Sequence, residues 1–259
     1  QPALHYYGTD ISFHELMARV DRCAGGFTAL GVKPGEIVSF LTVATPETIA
    51  SVYGLNKIGA AANTIDPRMD VASIRRMVQE SGSRILVVLD IAFPKVLPIM
   101  DDIHQEWIIV QSAATSLPFL KKTVKLLTTK TEVSYSDHVI KWSSFLKMGR
   151  NVVVKEAPYV GDALVAITYT GGTTGRPKGV MMTNDSMNSV GLNFIHSAVF
   201  HEDGDRFLGI IPIFAAYGMV CGLHMPLCMR MTLVPIPRFI PNEIGKLVRM
   251  FRPRRSRSR

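Results

Sequence analysis

Short apolar runs that alternate with helical patterns constrain this chain more than any other feature of its 259 residues. "SFHE", Ser12 to Glu15, has the capping-box spacing, and the pattern behind it runs as a helix to Gly31. "EIVSFLTV" then reads as a buried strand. Thr45 and Pro46 supply an N-cap and a first helical position for "PETIASVYGLNKIG", after which "AAANTID" is extended. Asp70 opens another helix, and "RILVVLD" from Arg84 and "WIIVQ" from Trp107 are two further strands. Between these two, "FPKVLPIMDDIHQ" is expected to be a helix kinked at Pro98. Patterning is weak from 112 to 160. It returns in the strand "ALVAITYT" and in "TNDSMNSVGLNFIHSAV", where Met187, Val190, Gly191, Phe194, Ile195 and Ala198 recur at helical spacing. "RFLGII" and "MTLVPI" read as later strands. Such alternation predicts an α/β fold: an open, mostly parallel sheet with helices on both faces, joined by right-handed crossovers. No internal repeat is visible.

A chain of this length that is 47% hydrophobic can bury a large core and is expected to hold more than one folding unit. Its formal charge of +8 resembles a nucleic-acid signature until it is mapped. Arg252, Arg254, Arg255, Arg257 and Arg259 lie in the last eight residues, and +8 less those five leaves +3, an ordinary surface. Cys23, Cys221 and Cys228 are odd in number and show no C-x-x-C spacing, which argues against a disulfide framework or a zinc site and fits a reducing cytoplasm. The chain opens on Gln1 without a signal-like segment, so a processed or trimmed start is expected. From Phe207 to Met229 no residue carries a formal charge, over a span that could cross a bilayer. Pro212, Pro226 and three glycines within it favour a buried strand, turn and helix over a transmembrane segment.

The densest chemistry is in "YTGGTTGRPKG", residues 169 to 179, expected between a strand and a helix, outside the carboxyl end of a strand. Gly171, Gly172 and Gly175 let backbone N–H groups approach an anion without a side chain in the way. Thr170, Thr173 and Thr174 add hydroxyl donors, while Arg176 and Lys178 add positive charge. It is not a Walker A loop, because Lys178 is preceded by Pro177 and followed by Gly179. The competing reading is a glycine-rich surface turn. Two cations and three hydroxyls exceed what a turn needs, so phosphate binding is favoured.

These residues resemble the phosphate-binding signature of the adenylate-forming superfamily: acyl- and aryl-CoA synthetases, luciferases and the adenylation domains of peptide synthetases. Two further stretches are similar to family blocks in the family's order. One is "GVKPGEIVSFLTVATPETIASVYGLNKIGAAANTIDP", residues 31 to 67; the other is "PIFAAYG", residues 212 to 218, which resembles the block lining the carboxylic-acid pocket. The resemblance runs to about Pro253.

What the resemblance implies is the N-terminal part of the adenylate-forming fold, two flavodoxin-like lobes with mostly parallel sheets. Residues 36–180 would form the first lobe, ending in the phosphate loop, and residues 1–35 would join 181–251 in the second. Residues 252–259 would be a disordered or non-native Arg/Ser tail. The implied activity is that of an ATP-dependent acid–thiol ligase of fatty-acid metabolism. A carboxylate attacks the α-phosphate of ATP, pyrophosphate leaves, and a thiol, commonly coenzyme A, captures the acyl-adenylate. The implied small molecules are therefore a carboxylic acid, ATP, coenzyme A and Mg²⁺, with no nucleic-acid partner and no transmembrane segment; a homo-oligomer and a carrier-protein thiol acceptor both stay open. Thr170, Gly171, Gly172, Thr173, Thr174, Gly175 and Lys178 would hold the phosphates, with Thr170 facing the metal and Lys178 neutralising charge; the alternative for Lys178 is a solvated lysine. Phe214, Ala215, Tyr217 and Gly218 would line the acid pocket, although an aromatic in an apolar run is as often plain core.

Departures from the family pattern matter equally. Ala215 stands where a histidine is frequent, and Asn184 follows Thr183 where histidine is common, a change compatible with a helix cap. The Tyr-Gly-x-Thr-Glu block, the ribose aspartate, the hinge and the lid lysine are absent, so no catalytic residue is assigned. Two classes of function follow. The favoured one is an enzyme fragment, inactive alone; the other is a non-enzymatic nucleotide binder, or an RNA-binding Arg/Ser arm.

Overall fold

A computed structural model describes residues 1–112, 114–117, 133–170, 177–197, 202–237 and 240–251. In chain order the first part runs β1 (Pro2–Tyr6), β2 (Thr9–Ser12), α1 (Phe13–Ala29), β3 (Ile37–Leu41), α2 (Pro46–Lys57), β4 (Ala61–Ile65), α3 (Val71–Glu80), β5 (Ile85–Leu89), α4 (Met100–Ile103) and β6 (Trp107–Gln111). It continues as β7 (Val139–Lys141), α5 (Trp142–Met148), β8 (Leu164–Thr170), β9 (Lys178–Thr183), α6 (Asn184–His196) and β10 (Arg206–Gly209). The last elements are α7 (Ala216–Met219), α8 (Met225–Cys228), β11 (Thr232–Pro235) and α9 (Ile244–Met250).

Helix starts sit where the capping chemistry predicts them. Ser12 Oγ accepts from the Glu15 amide at 3.1 Å, and Asp70 Oδ1 from the Ser73 amide at 2.8 Å. Thr45 Oγ1 accepts from the Thr48 amide at 3.2 Å, with Pro46 in the first turn. Each cap contributes about 1 kcal/mol by satisfying an amide that has no partner inside the helix. Only half of the expected capping box forms on α1, because the Glu15 carboxylate reaches Arg19 at 2.7 Å. The stretch from 90 to 103 is not the expected kinked helix. Pro94 and Pro98 each lack a donor and crowd the preceding turn, so the chain makes two 3₁₀ segments, Asp90–Lys95 and Leu97–Ile99, before the single turn of α4.

Seven strands form one sheet in the order β7-β6-β5-β3-β4-β8-β9, parallel throughout except for the antiparallel pair β8 and β9. The chain passes from β3 to β4 and then back across β3 to β5, so strand order reverses there. Successive residues of β5 enter different cores, as the period of two requires. Ile85 and Val87 pack with Phe27 of α1 and Phe145 of α5, whereas Leu86 and Val88 pack with Ile74 and Met77 of α3 and with Phe93. Helices therefore cover both faces. Gly149 lets α5 end against α1, since a Cβ there would lie 2.1 Å from the Gly26 nitrogen.

A second sheet has the order β10-β11-β1-β2. It joins the two ends of the sequence, with Leu4 of β1 beside Leu233 of the parallel strand β11. The uncharged run from Phe207 becomes β10, a turn, and the helical stretch α7 to α8, interrupted by a π turn at Val220–His224. Among the described residues no helix is long and apolar enough to cross a membrane. Residues 252–259, expected to form a disordered tail, lie outside the described residues.

Candidate phosphate and acid site

β8 delivers Thr170 at its carboxyl end and β9 begins at Lys178, and the antiparallel register sets these two residues directly opposite each other. Both are exposed, and Lys178 makes no ion pair among the described residues. Gly171, Gly172, Thr173, Thr174, Gly175 and Arg176 lie outside the described residues. The loop thus joins two strands, where the sequence reading expected a strand and a helix. The six residues of β9 separate it from α6, whose cap at Thr183 accepts from the Ser186 amide at 3.2 Å in a full capping box. β9 was hard to see because it is an edge strand with one face in solvent: Met182 is buried, while Met181 is 73% exposed. The N-terminus of α6 does not stand next to Thr170 and Lys178, because β9 lies between the loop and α6.

The 212–218 block is tied to the same strand. The Tyr169 amide donates to the Phe214 carbonyl at 3.2 Å, and Thr64 Oγ1 of β4 bonds the Ile167 carbonyl at 3.1 Å and that of Ile213 at 3.5 Å. Phe214 and Ala215 are half-buried, and Ala215 begins α7 without a side-chain cap. Gly218 is buried and serves backbone packing, since a Cβ would meet the Pro212 carbonyl oxygen at 2.0 Å. Tyr217, expected as a wall or as core, is 62% exposed and is not core. Burial pushes the Tyr169 phenol up to about 12, so it stays a neutral hydrogen-bonding group at ordinary pH.

Sequence reasoning missed Asp66 and Arg68, just past the carboxyl end of β4. Arg68 Nε and Nη2 hold both Asp66 oxygens at 2.8 to 3.1 Å, and its guanidinium lies 5.3 Å from the Phe214 ring centroid. β4 pairs with β8 through Ala62 and Ala166, so extending that register brings Asp66 level with Thr170. An acid and a base two residues apart after a strand, in "DPR", was the available signal.

The family model described as "AMP-binding enzyme" matches residues 1–255. The chain belongs to this family. Among relatives of the chain, the long-chain-fatty-acid–CoA ligase of Bacillus subtilis is 24% identical over 259 residues, covering 97% of the chain and 46% of its own length. The long-chain-fatty-acid–CoA ligase FadD13 of Mycobacterium tuberculosis is 26% identical, covering 95% and 45%. An anthranilate CoA ligase solved with anthranoyl-AMP shares the fold at a TM-score of 0.80 and 19% identity, over 98% of this chain and 45% of that one. The inhibitor-bound N-terminal domain of FACL13 from Mycobacterium tuberculosis superposes at 0.69 with 25% identity, over 95% and 56%. The chain therefore spans about half the length of the curated relatives it matches.

Magnesium fits this donor set only as a companion of phosphate. No cluster of three or more His, Cys, Asp or Glu side chains able to hold a metal occurs among the described residues. Mg²⁺ in such sites takes one or two protein oxygens together with substrate phosphates; the exposed Thr170 hydroxyl is one hard oxygen of that kind, while both Asp66 oxygens are held by Arg68.

Proposed function

We propose that this chain is the phosphate-binding, N-terminal portion of an ATP-dependent acyl-CoA synthetase. The parent would convert a carboxylic acid and ATP into an acyl-adenylate and pyrophosphate, and then form a thioester with coenzyme A. The observation that carries this reading is the Thr170 and Lys178 pair, face to face at the base of the glycine and threonine loop, with the 212–218 block bonded to the same strand. The reaction needs no protein nucleophile. It needs two mutually repelling anions aligned and the charge on departing pyrophosphate offset, which oriented donors and a cation accomplish. Lys178 and the loop would hold the leaving phosphates, and Thr170 would present its hydroxyl to Mg²⁺, which when bound offsets phosphate charge. Phe214 and Ala215 would flank the acid, and Ala215 leaves more volume there than a histidine would. We read residues 36–180 as the lobe that ends in this loop, with α1 packed on its sheet, and β1 and β2 with 181–251 as parts of the second lobe, in a protein of the cytoplasm.

The chain by itself grips ATP at one end and should not turn over. About 7 to 11 kcal/mol of barrier lowering comes from positioning, and a half-built site forfeits most of it. The test has two arms. Acid-dependent exchange of labelled pyrophosphate into ATP, across short, long and aromatic acids, should stay at background; robust exchange refutes the fragment reading. Titration with pyrophosphate should show weak binding that Lys178→Gln reduces at least fivefold, and equal binding by the variant refutes the phosphate site.

A further inference from the structure

A cavity of about 740 Å³ opens at the end of the seven-stranded sheet remote from Thr170 and Lys178. Gly35 before β3, Gly59 before β4 and Leu164 at the start of β8 line it, so it gathers where strands begin. Thr170 lies at the other end of β8, six residues or about 20 Å away at 3.3 Å per residue. The cavity is separate from the candidate phosphate and acid site, and its volume falls in the range of about 300 to 1,000 Å³ typical of small-molecule pockets.

One helix face forms part of its wall. Phe13, Leu16, Met17 and Val20 recur on α1 at the spacing that aligns side chains, and Leu227 of α8 adds to the apolar surface. The one Lys or Arg in the lining, Lys57, is held by Asp21 at 2.7 Å and Glu156 at 2.6 Å. With Glu156 also in the lining, the described lining residues offer no free cation and disfavour an anion.

Polar groups in the wall are spent on one another. Tyr159 O–H donates to Asp185 Oδ1 at 2.7 Å, and Asn188 Nδ2 donates to Tyr159 Oη at 3.3 Å. That leaves Asn188 Oδ1 as the acceptor 3.0 Å from His224 Nε2, which therefore carries the proton, and Tyr53 O–H donates to Nδ1 at 3.1 Å. Burial holds His224 below the usual histidine range, so the imidazole adds no charge. Cys228 Sγ stands 3.4 Å from the same Nε2 on the cavity wall, and it is exposed while Cys23 and Cys221 are buried.

We infer that this cavity is a second ligand site, one that takes an alkyl chain with a neutral head group, such as an alcohol or an ester, in preference to a carboxylate. This inference stands on the cavity alone and does not depend on the phosphate site. Apolar walls supply the binding, which should tighten about fourfold per methylene buried. The paired Lys57 and the Glu156 carboxylate supply the discrimination against anions.

Cys228 reports occupancy. The purified 259-residue chain is labelled with 4,4′-dithiodipyridine, a neutral thiol reagent, and the modified cysteine is identified by mass spectrometry. Linear alcohols from hexanol to nonanol should slow Cys228 labelling, with the half-protecting concentration falling about fourfold per added carbon. Methyl decanoate should protect, and decanoate at pH 8 should protect at least tenfold less well. Met17→Trp, at a position 52% exposed and so tolerant of a larger ring, and Val20→Phe should each occupy part of the cavity and weaken protection severalfold while the circular dichroism spectrum is retained. Equal protection in both variants, protection by decanoate as strong as by the ester, or no dependence on chain length overturns the inference.

Discussion

Replacing Gly218 by alanine tests whether the 212–218 block is set by backbone contact. An added Cβ would sit 2.0 Å from the Pro212 oxygen, 2.6 Å from its carbonyl carbon and 2.9 Å from the Ile211 oxygen. All three are backbone atoms, so no rotamer change relieves the overlap. Reaching an ordinary contact of 3.4 Å means opening the turn by about 1.4 Å, the difference between 3.4 and 2.0 Å. That shift breaks the Ala215 amide bond to Pro212 at 3.1 Å and strains the Tyr169 bond to Phe214 at 3.2 Å. Overpacking of this kind costs about 1 to 3 kcal/mol, and each lost hydrogen bond about 1 kcal/mol. Alanine returns up to about 1 kcal/mol as the better helix former. The net is a loss of about 2 to 3 kcal/mol, or a melting temperature lower by about 5 to 10 °C for a chain of this size. Gly245→Ala is the control, because its Cβ would meet nothing within 4 Å. Thermal melting by circular dichroism should leave Gly245→Ala at or slightly above the parent. A Gly218→Ala variant that melts within 2 °C of the parent refutes the reasoning.

Glu47 is buried and its carboxyl is raised, first by desolvation, despite the Ser116 hydroxyl it accepts from and Arg19 at 4.0 Å. A raised acid contributes stability that is complete below its ordinary value of 4.5 and is lost as pH rises through the folded value. Glu47→Gln should therefore gain on the parent by up to about 1.4 kcal/mol per pH unit across that window, read from urea midpoints between pH 4 and 8, and a pH-independent difference contradicts this. Gly149→Ala should cost about 3 kcal/mol by forcing α5 off α1, and a urea midpoint equal to the parent's shows that the contact is not tight. Removing residues 252–259 should leave the melting temperature within 1 °C, since no apolar residue follows Phe251 to offset ordering; a fall of many degrees gives the tail a structural role.

Much of the candidate site was readable as composition and little of it as geometry. "TGGTTGRPK" raises the expectation of an anion loop because amides, hydroxyls and cations lie within nine consecutive residues. Nothing in that string says that Thr170 faces Lys178 across a strand pair, since the fact depends on β9 adding to the sheet edge. Arg68 stacked on Phe214 was likewise illegible, because those residues meet only when β4 and the 212–218 block reach the same end of the sheet.

The division follows the range of the forces. Ser12, Thr45, Asp70 and Thr183 fixed helix starts from sequence alone, because a cap is a hydrogen bond to an amide three residues on. Apolar runs fixed strands by the same local logic, and prolines 94 and 98, read too leniently, broke a helix through their immediate neighbours. Which strand lies beside which was decided only by the packed structure. Leu4 could have paired with any parallel apolar run; it meets Leu233 because both are buried in the core that holds α1 and α2, with β1 seated between β11 and β2. The 740 Å³ cavity has the same origin: its walls come from six separate stretches of chain, and the space between them exists only once all six are in place.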